Sequence, residues 1–321
     1  VRPERPAGGQ TVAELGEFEV IRRITEGRRA AHGIVLGPGD DAAVITASDG
    51  RVVATTDVLV QNVHFRLDWS TPEQVGRKAV AVNLADVAAM GAIPTGVLVG
   101  LACPADTQVQ LVEELANGMW AEAGRAGTGL AGGDIVSADQ LVISVTALGD
   151  LGGRSQVTRS GARIGDVVAA NGRLGWAAAG LAVLGRGFRS PVSVVGAHRS
   201  PEPPYEAGPQ AADAGATAMI DTSDGLIADL GHVAKASGVG IDLRIERLEV
   251  HQRLTDVGSA LGVDPLRWVL TGGEDHALVA TFPGPKEVPD GWRTIGSVVA
   301  GHGVTVNGEP YEGGSGWEHF R

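Results

Sequence analysis

Aspartates constrain this chain more than any other feature. Asp41, Asp57, Asp86, Asp134, Asp221 and Asp224 stand after apolar runs or on the apolar face of a helix. Carboxylates placed this way repel one another unless something positive sits between them. Hard cations such as Mg²⁺ take oxygen ligands of this kind and share them with substrate phosphates. The densest stretch is 37–64, with Gly37-Pro-Gly39-Asp40-Asp41, then Thr55-Thr56-Asp57, then His64. Gly37 and Gly39 read as a turn ahead of the acidic pair, and Val52 to Ala54 as a strand running into Thr55, with Asp57 at its end.

Composition narrows the partners. The 321 residues are 43% hydrophobic, enough for two domains with real cores, and carry a formal net charge of −12. That charge argues against non-specific binding to nucleic acid or to an anionic membrane. A phosphorylated substrate stays compatible, because bound metal reverses the local field. The lone cysteine, Cys103, allows neither an intrachain disulfide nor a cysteine-based zinc site. It precedes Pro104 at a strand end and reads as a packing residue. With no apolar run of about 18 residues and no signal-peptide pattern, the expectation is a soluble, cytoplasmic chain. The 48 glycines have no G-X-Y period, so they mark turns and close backbone approaches rather than collagen.

Taken in order, residues 1–10 are expected to be disordered, 11–150 to form an N-terminal α/β domain and 151–321 a C-terminal α+β domain, with the boundary near Gly149–Gly153. Thr11-Val-Ala-Glu14 is a capping-box pattern, followed by Leu15, Phe18, Ile21 and Ile24 at helical spacing. Ala42 to Ile45 and Val52 to Thr55 read as a hairpin. A helix is expected from Thr71-Pro72 to about Met90, with Val75, Ala79 and Val82 on its apolar stripe. Asp86 is the next position on that stripe, with Asn83 beside it, which points to a metal ligand aimed inward. A second helix over 107–126 buries Val112, Leu115, Met119 and Ala123. Gly132-Gly133-Asp134 follows, then a strand over 141–148. Residues 172–187 read as a glycine-punctuated helix and the Pro-rich 198–209 as an exposed loop. Ala218 to Ile220 reads as a strand delivering Asp221-Thr-Ser223-Asp224-Gly225 to a helix N-terminus, where an anion or a metal–phosphate can sit. Trp268-Val-Leu270 reads as a strand leading to Gly272-Gly273-Glu274-Asp275, ahead of closing strands over 292–299 and 304–306.

The acids outnumber what one Mg²⁺ needs and have too few His or Cys companions for zinc. Neither a Gly-x₄-Gly-Lys-Ser/Thr loop nor a Gly-rich loop with a Val-Ala-Ile-Lys strand is present, so phosphoryl transfer would lean on metal rather than lysine.

Gly37-Pro-Gly-Asp-Asp-Ala-Ala43, Thr55-Thr-Asp57, Lys78-Ala-Val-Ala-Val-Asn-Leu-Ala-Asp86, Gly132-Gly-Asp134, Thr158-Arg-Ser-Gly161, Asp221-Thr-Ser-Asp-Gly225 and Gly272-Gly-Glu-Asp275 together resemble the thiamine-monophosphate kinase family. The resemblance runs in order from about residue 16 to the end. It implies a two-domain PurM-like fold, like that of aminoimidazole-ribonucleotide synthetase, and a homodimer joined through N-terminal-domain strands. It implies the reaction ATP + thiamine monophosphate → ADP + thiamine diphosphate. It further implies that Asp41, Thr55, Thr56, Asp57, Asp86, Asp134, Asp221 and Asp224 hold several Mg²⁺ ions. Gly133, Asp134, Arg159 and Ser223 would contact ATP, and His64, Glu274 and Trp317 the thiamine phosphate. Asp57, Asp86 and Arg159 would carry the catalysis. His276 departs from the Tyr common after the Glu-Asp pair, and Pro204 from a common basic residue. Two rival readings stand beside this one. The first is another PurM-like ATP-dependent enzyme of the aminoimidazole-ribonucleotide-synthetase kind. The second is a non-catalytic sensor of nucleotide or thiamine phosphate.

Overall fold

The computed structural model describes residues 9–28, 31, 33–38, 42–311 and 313. Asp40, Asp41 and Trp317, with residues 1–8, lie outside the described residues. The chain separates into two compact units: Val1–Ala47, Ala54–Asn83 and Thr95–Leu148 form one, and Ser48–Val53, Leu84–Pro94 and Gly149–Arg321 the other.

The first part of the chain contains α1 (Val12–Leu15), α2 (Glu17–Thr25), β1 (Ile34–Leu36), β2 (Val44–Ile45), β3 (Val53–Val60), α3 (Pro72–Ala89), β4 (Ile93–Cys103), α4 (Val109–Arg125), β5 (Leu130–Ser137) and β6 (Val142–Asp150). Thr11 and Glu14 form the expected capping box, but Gly16 breaks the helix at φ 85°. The chain turns there, so Phe18 ends 83% exposed while Val20 is buried. α3 opens as expected: Thr71 Oγ1 accepts the Gln74 N–H and the Gln74 side chain accepts the Thr71 N–H. From Val75 to Ala89 it is buried on nearly every side, so that even Lys78 and Asn83 are buried. α4 buries Val112, Leu115, Met119 and Ala123 as their spacing requires, and the Trp120 indole N–H donates to the Ile24 carbonyl, tying α2 to α4.

The four-stranded sheet has the order β3-β6-β4-β5, with β4 and β5 parallel. β6 alternates strictly, with Ile143, Val145 and Ala147 fully buried and the residues between them half-buried, the pattern of a sheet with one covered face. The expected hairpin of 42–45 with 52–55 does not form: β2 pairs with β1, and β3 joins the four-stranded sheet. Thr55, Thr56 and Asp57 therefore lie inside a strand rather than at its end. Gly132, Gly133 and Asp134 likewise sit within β5.

The remainder contains β7 (Val167–Asn171), α5 (Trp176–Gly185), α6 (Val192–Arg199), α7 (Ala207–Asp213), β8 (Ala218–Asp221), α8 (Leu226–Ser237), β9 (Gly240–Leu243), α9 (Gln252–Leu261), α10 (Pro265–Thr271), β10 (Leu278–Phe282), β11 (Arg293–Val299), β12 (Gly303–Val306) and β13 (Glu309–Pro310). Its seven-stranded sheet runs β13-β12-β9-β11-β7-β10-β8, antiparallel except for the β12–β9 pair. β8, β9 and β10 are buried along their whole length. α8 packs on this sheet through Leu226, Leu230, Val233 and Ala234 and ends at left-handed Gly238.

Two expectations fail here. Trp268-Val-Leu270 is helical, because Asp264 caps the Leu266 N–H and Pro265 takes the first helical position. The 198–209 segment is not an exposed loop: it joins the end of α6 to α7 and buries Pro201, Pro203 and Tyr205. Among the described residues no helix is long and apolar enough to cross a membrane.

Candidate active site

The first unit carries Thr55, Thr56, Asp57, His64, Gly133 and Asp134. Asp57 takes its position from α3. The Asn83 amide is fully buried, donates to the Ala79 carbonyl at 3.0 Å and accepts the Asp57 N–H at 2.9 Å. Strand neighbours point to opposite faces, so Asp57 shares a face with buried Leu59, and Thr56 looks the other way. The Thr56 hydroxyl donates to the Val145 carbonyl and accepts from Thr146. Asp134 stands opposite Gly100 on the far edge strand. Two strands stand between them, so β3 and β5 run about 14 Å apart across the sheet, too far for their carboxylates to meet at one ion within it.

The His64 ring is oriented locally. Its Nδ1 accepts the Val60 N–H at 3.0 Å, so a neutral ring carries its proton on Nε2 and presents a donor. Buried Lys78 donates from Nζ to the His64 carbonyl at 3.1 Å and fixes the turn.

The second unit carries Asp86, Arg159, Asp221, Ser223, Asp224 and Glu274. Here two loops are laced together. The Glu274 N–H donates to the Ser223 carbonyl at 2.8 Å and the His276 N–H to the Thr222 carbonyl at 3.0 Å. Thr222 returns a bond from its N–H to the Ala277 carbonyl and accepts the Ala277 N–H on its hydroxyl. The approach is close enough to exclude a Cβ: one on Gly273 would lie 2.4 Å from the Ser223 carbonyl oxygen. The β8–α8 loop and the α10–β10 loop, some fifty residues apart in sequence, thus present Asp221, Asp224 and Glu274 together.

Asp221 ends β8 nearly inaccessible, and its Oδ2 lies 2.9 Å from His276 Nδ1. Burial alone would lower the His276 pKa. The hydrogen bond and charge of Asp221, with the charges of Glu274 and Asp86, outweigh it and hold the pKa above the ordinary histidine value. Glu274 has its Oε2 3.2 Å from Nδ1 of buried His198 on α6. Its neighbour Asp275 plays a separate part, accepting the Gly175 and Ala177 N–H groups at the start of α5. Full burial pushes the Asp275 pKa up to about 7, against the pull of those two bonds. Arg159 is exposed on a loop anchored by Ser237, whose hydroxyl donates to the Arg159 carbonyl and accepts from Gly161 and Ala162.

Asp229, His232 and His198 escaped the sequence reading. Asp229 lies in the first turn of α8, buried, and accepts the Asp224 and Gly225 N–H groups. Burial, then the negative charge of Asp221 and the smaller effect of Asp224, push its pKa to about 7. Asp224, Asp229 and His232 each offer a ligand atom within 4.8 Å of the others. An oxygen-rich set in which carboxylates crowd one another fits a hard divalent cation. The signal for Asp229 was available: it shares the apolar side of α8 with Leu226, Leu230 and Val233, as Asp86 shares that of α3.

Residues 39–151 match the family model described as AIR synthase related protein, N-terminal domain. The thiamine-monophosphate kinase of Mycobacterium tuberculosis is 54% identical over 312 residues, covering 97% of this chain and 93% of that protein. That of Corynebacterium glutamicum is 44% identical over 329 residues, covering 99% and 97%. Among solved structures, the thiamine monophosphate kinase of Aquifex aeolicus superposes with a TM-score of 0.77 at 32% identity, covering 94% of this chain and all of that one. AaThiL complexed with AMPPCP and TMP superposes at 0.80 with 33% identity over all of both chains. The hydrogenase maturation protein HypE in complex with ATP, at 20% identity and a TM-score of 0.70, shares the fold alone. The expected PurM-like architecture is thus present, and identity of this extent across whole chains makes this protein a member of the thiamine-monophosphate kinase family.

Proposed function

We propose that this chain transfers the γ-phosphoryl group of ATP to thiamine monophosphate by direct in-line displacement, giving ADP and thiamine diphosphate. The observation that carries this reading is the laced pair of loops, which gathers Asp221, Asp224 and Glu274 beside Asp229 and His276 in a chain so similar to established kinases of this substrate. The attacking oxygen belongs to a phosphate already ionised at neutral pH, so no strong general base is needed, and the obstacle is repulsion between two anions. Thr55, Thr56, Asp57, Asp86, Asp134, Asp221 and Asp224, joined by Asp41, would hold several Mg²⁺ ions. Bound Mg²⁺ offsets the charge on both phosphate groups.

Arg159 provides a guanidinium fork for phosphate oxygens, and Gly133, Asp134 and Ser223 would line the nucleotide. His64, with its proton on Nε2, donates to the substrate phosphate, and Glu274 supplies countercharge or an acceptor to the cationic thiazolium and the aminopyrimidine rings. Trp317 would offer a face to those rings. Asp57, Asp86 and Arg159 are the residues on which turnover depends. In this reading 11–150 is the N-terminal domain, 151–321 the C-terminal domain, and the enzyme works in the cytoplasm. It does so as a homodimer joined through the sheet face that leaves Val58 and Val136 about half exposed.

The test is turnover against Mg²⁺ concentration. Asp57→Ala and Asp86→Ala should fold yet lose activity at every Mg²⁺ level. Near-normal kcat at low Mg²⁺ in either variant would refute the shared-cation reading, and tight Mg²⁺-dependent nucleotide binding without ADP release would mark the chain as a sensor.

A further inference from the structure

We propose that His276 is a positioning residue for Asp221, holding one carboxylate oxygen so that the other is left for a divalent cation. The inference rests on the reading of Asp221 as a metal ligand. Asp221 Oδ2 and His276 Nδ1 are 2.9 Å apart, and both side chains are almost completely buried. A carboxylate oxygen accepts, so Nδ1 must carry the hydrogen. This engages Oδ2 and leaves Oδ1 as the oxygen available to an ion.

The ring is not placed by its own preference. His276 adopts φ 52°, in the left-handed region that non-glycine residues enter at a cost. It is held there by its N–H bond to the Thr222 carbonyl and by the two bonds that tie Thr222 to Ala277. Directly beyond, Leu278 pairs with Asp221 in the β10–β8 ladder. Backbone bonds on both sides of the contact therefore fix the imidazole and the carboxylate to each other. A histidine that only filled space would need neither the unusual φ nor a nitrogen aimed at an acid. Partners that orient a ligating side chain in this way typically alter metal affinity by ~10–100-fold when removed.

The experiment uses the full chain and Mn²⁺ as the probe, counting free ion by electron paramagnetic resonance. Wild type, His276→Leu, His276→Asn, His276→Gln and Asp221→Ala are compared, with melting temperature recorded for each. His276→Leu should raise the Mn²⁺ dissociation constant about tenfold or more at the site that Asp221→Ala abolishes. The Mg²⁺ needed for half-maximal turnover should rise by the same factor. His276→Asn, whose amide N–H can stand where Nδ1 stands, should recover most of the affinity, and His276→Gln, whose amide reaches one bond farther, should not. Unchanged Mn²⁺ affinity in folded His276→Leu would overturn the proposal. If His276→Leu does not fold, equal affinities in the Asn and Gln variants would overturn it. Mn²⁺ binding that survives Asp221→Ala would remove the underlying metal-ligand reading as well. Loss in Asp221→Ala with none in the His276 variants would remove the role of His276 alone.

Discussion

Replacing Gly225 by alanine tests the lacing of the two loops. Gly225 precedes α8 at φ 124° and ψ 149°, a conformation essentially reserved for glycine. Forcing alanine into it costs about 1–3 kcal/mol. A Cβ there would also lie 2.8 Å from the carbonyl carbon and oxygen of Thr271, which are backbone atoms that cannot rotate away. Relief requires the start of α8 to move off the end of α10. That movement stretches the Glu274–Ser223 and His276–Thr222 bonds, each worth about 0.5–1.5 kcal/mol net. The combined loss is about 2–6 kcal/mol, or a fall in melting temperature of roughly 3–9 °C for a chain of this size. Gly231→Ala is the matched control. It lies inside α8, and no atom of the described residues comes within 4 Å of its would-be Cβ, so it should gain about 0.5–1 kcal/mol. Urea titrations with an unchanged m-value give both numbers, and thiamine diphosphate formation should fall sharply in Gly225→Ala alone. A Gly225→Ala chain within about 0.5 kcal/mol of wild type and fully active would refute the argument.

Three further outcomes are expected. Asn83→Leu should cost about 1–2 kcal/mol by stranding the Asp57 N–H, and should lower kcat by displacing Asp57, whereas unaltered kcat would show that α3 does not position that carboxylate. Asp275 has its pKa raised from 3.8 to about 7, so the folded chain binds more protons than the unfolded chain between those values. Its contribution to stability is therefore complete at low pH and lost as pH rises through that window, by at most about 4 kcal/mol. Asp275→Asn should flatten the fall in stability between pH 4 and 7, and an unchanged slope would contradict the assignment. Chelation of divalent cations should lower the melting temperature of wild type, by the equivalent of about 2.7 kcal/mol at a hundredfold excess over the dissociation constant. An Asp224→Asn/Asp229→Asn chain should lose most of that response, and the same response as wild type would remove both residues from the cation site.

The elements that carry strong local signals were legible. α3 announced itself by Thr71, Pro72 and a long apolar pattern, α8 by its stripe between Gly225 and Gly238, and β6 by its apolar-rich run over 141–148. Short apolar runs misled, because Trp268-Val-Leu270 fits a strand or a buried helix equally well, and the Asp264-Pro265 start decides it. Pro201 and Pro203 are buried by tertiary packing that local composition does not report. At the site, the acids could be read from sequence but not their grouping. Nothing in the spacing says that Thr222 bonds to Ala277, or that Asp57 and Asp134 lie on opposite edges of one sheet. His198 beside Glu274 depends on the same long-range contacts.

The central claim is that this chain makes thiamine diphosphate from the monophosphate. The most direct measurement is chromatography of a reaction containing purified protein, Mg-ATP and thiamine monophosphate, with free thiamine and an aminoimidazole-pathway substrate run beside it. The account predicts thiamine diphosphate and ADP in equal amounts from the monophosphate, and no product from either control. ADP release without thiamine diphosphate, or product from a control substrate in its place, would contradict it.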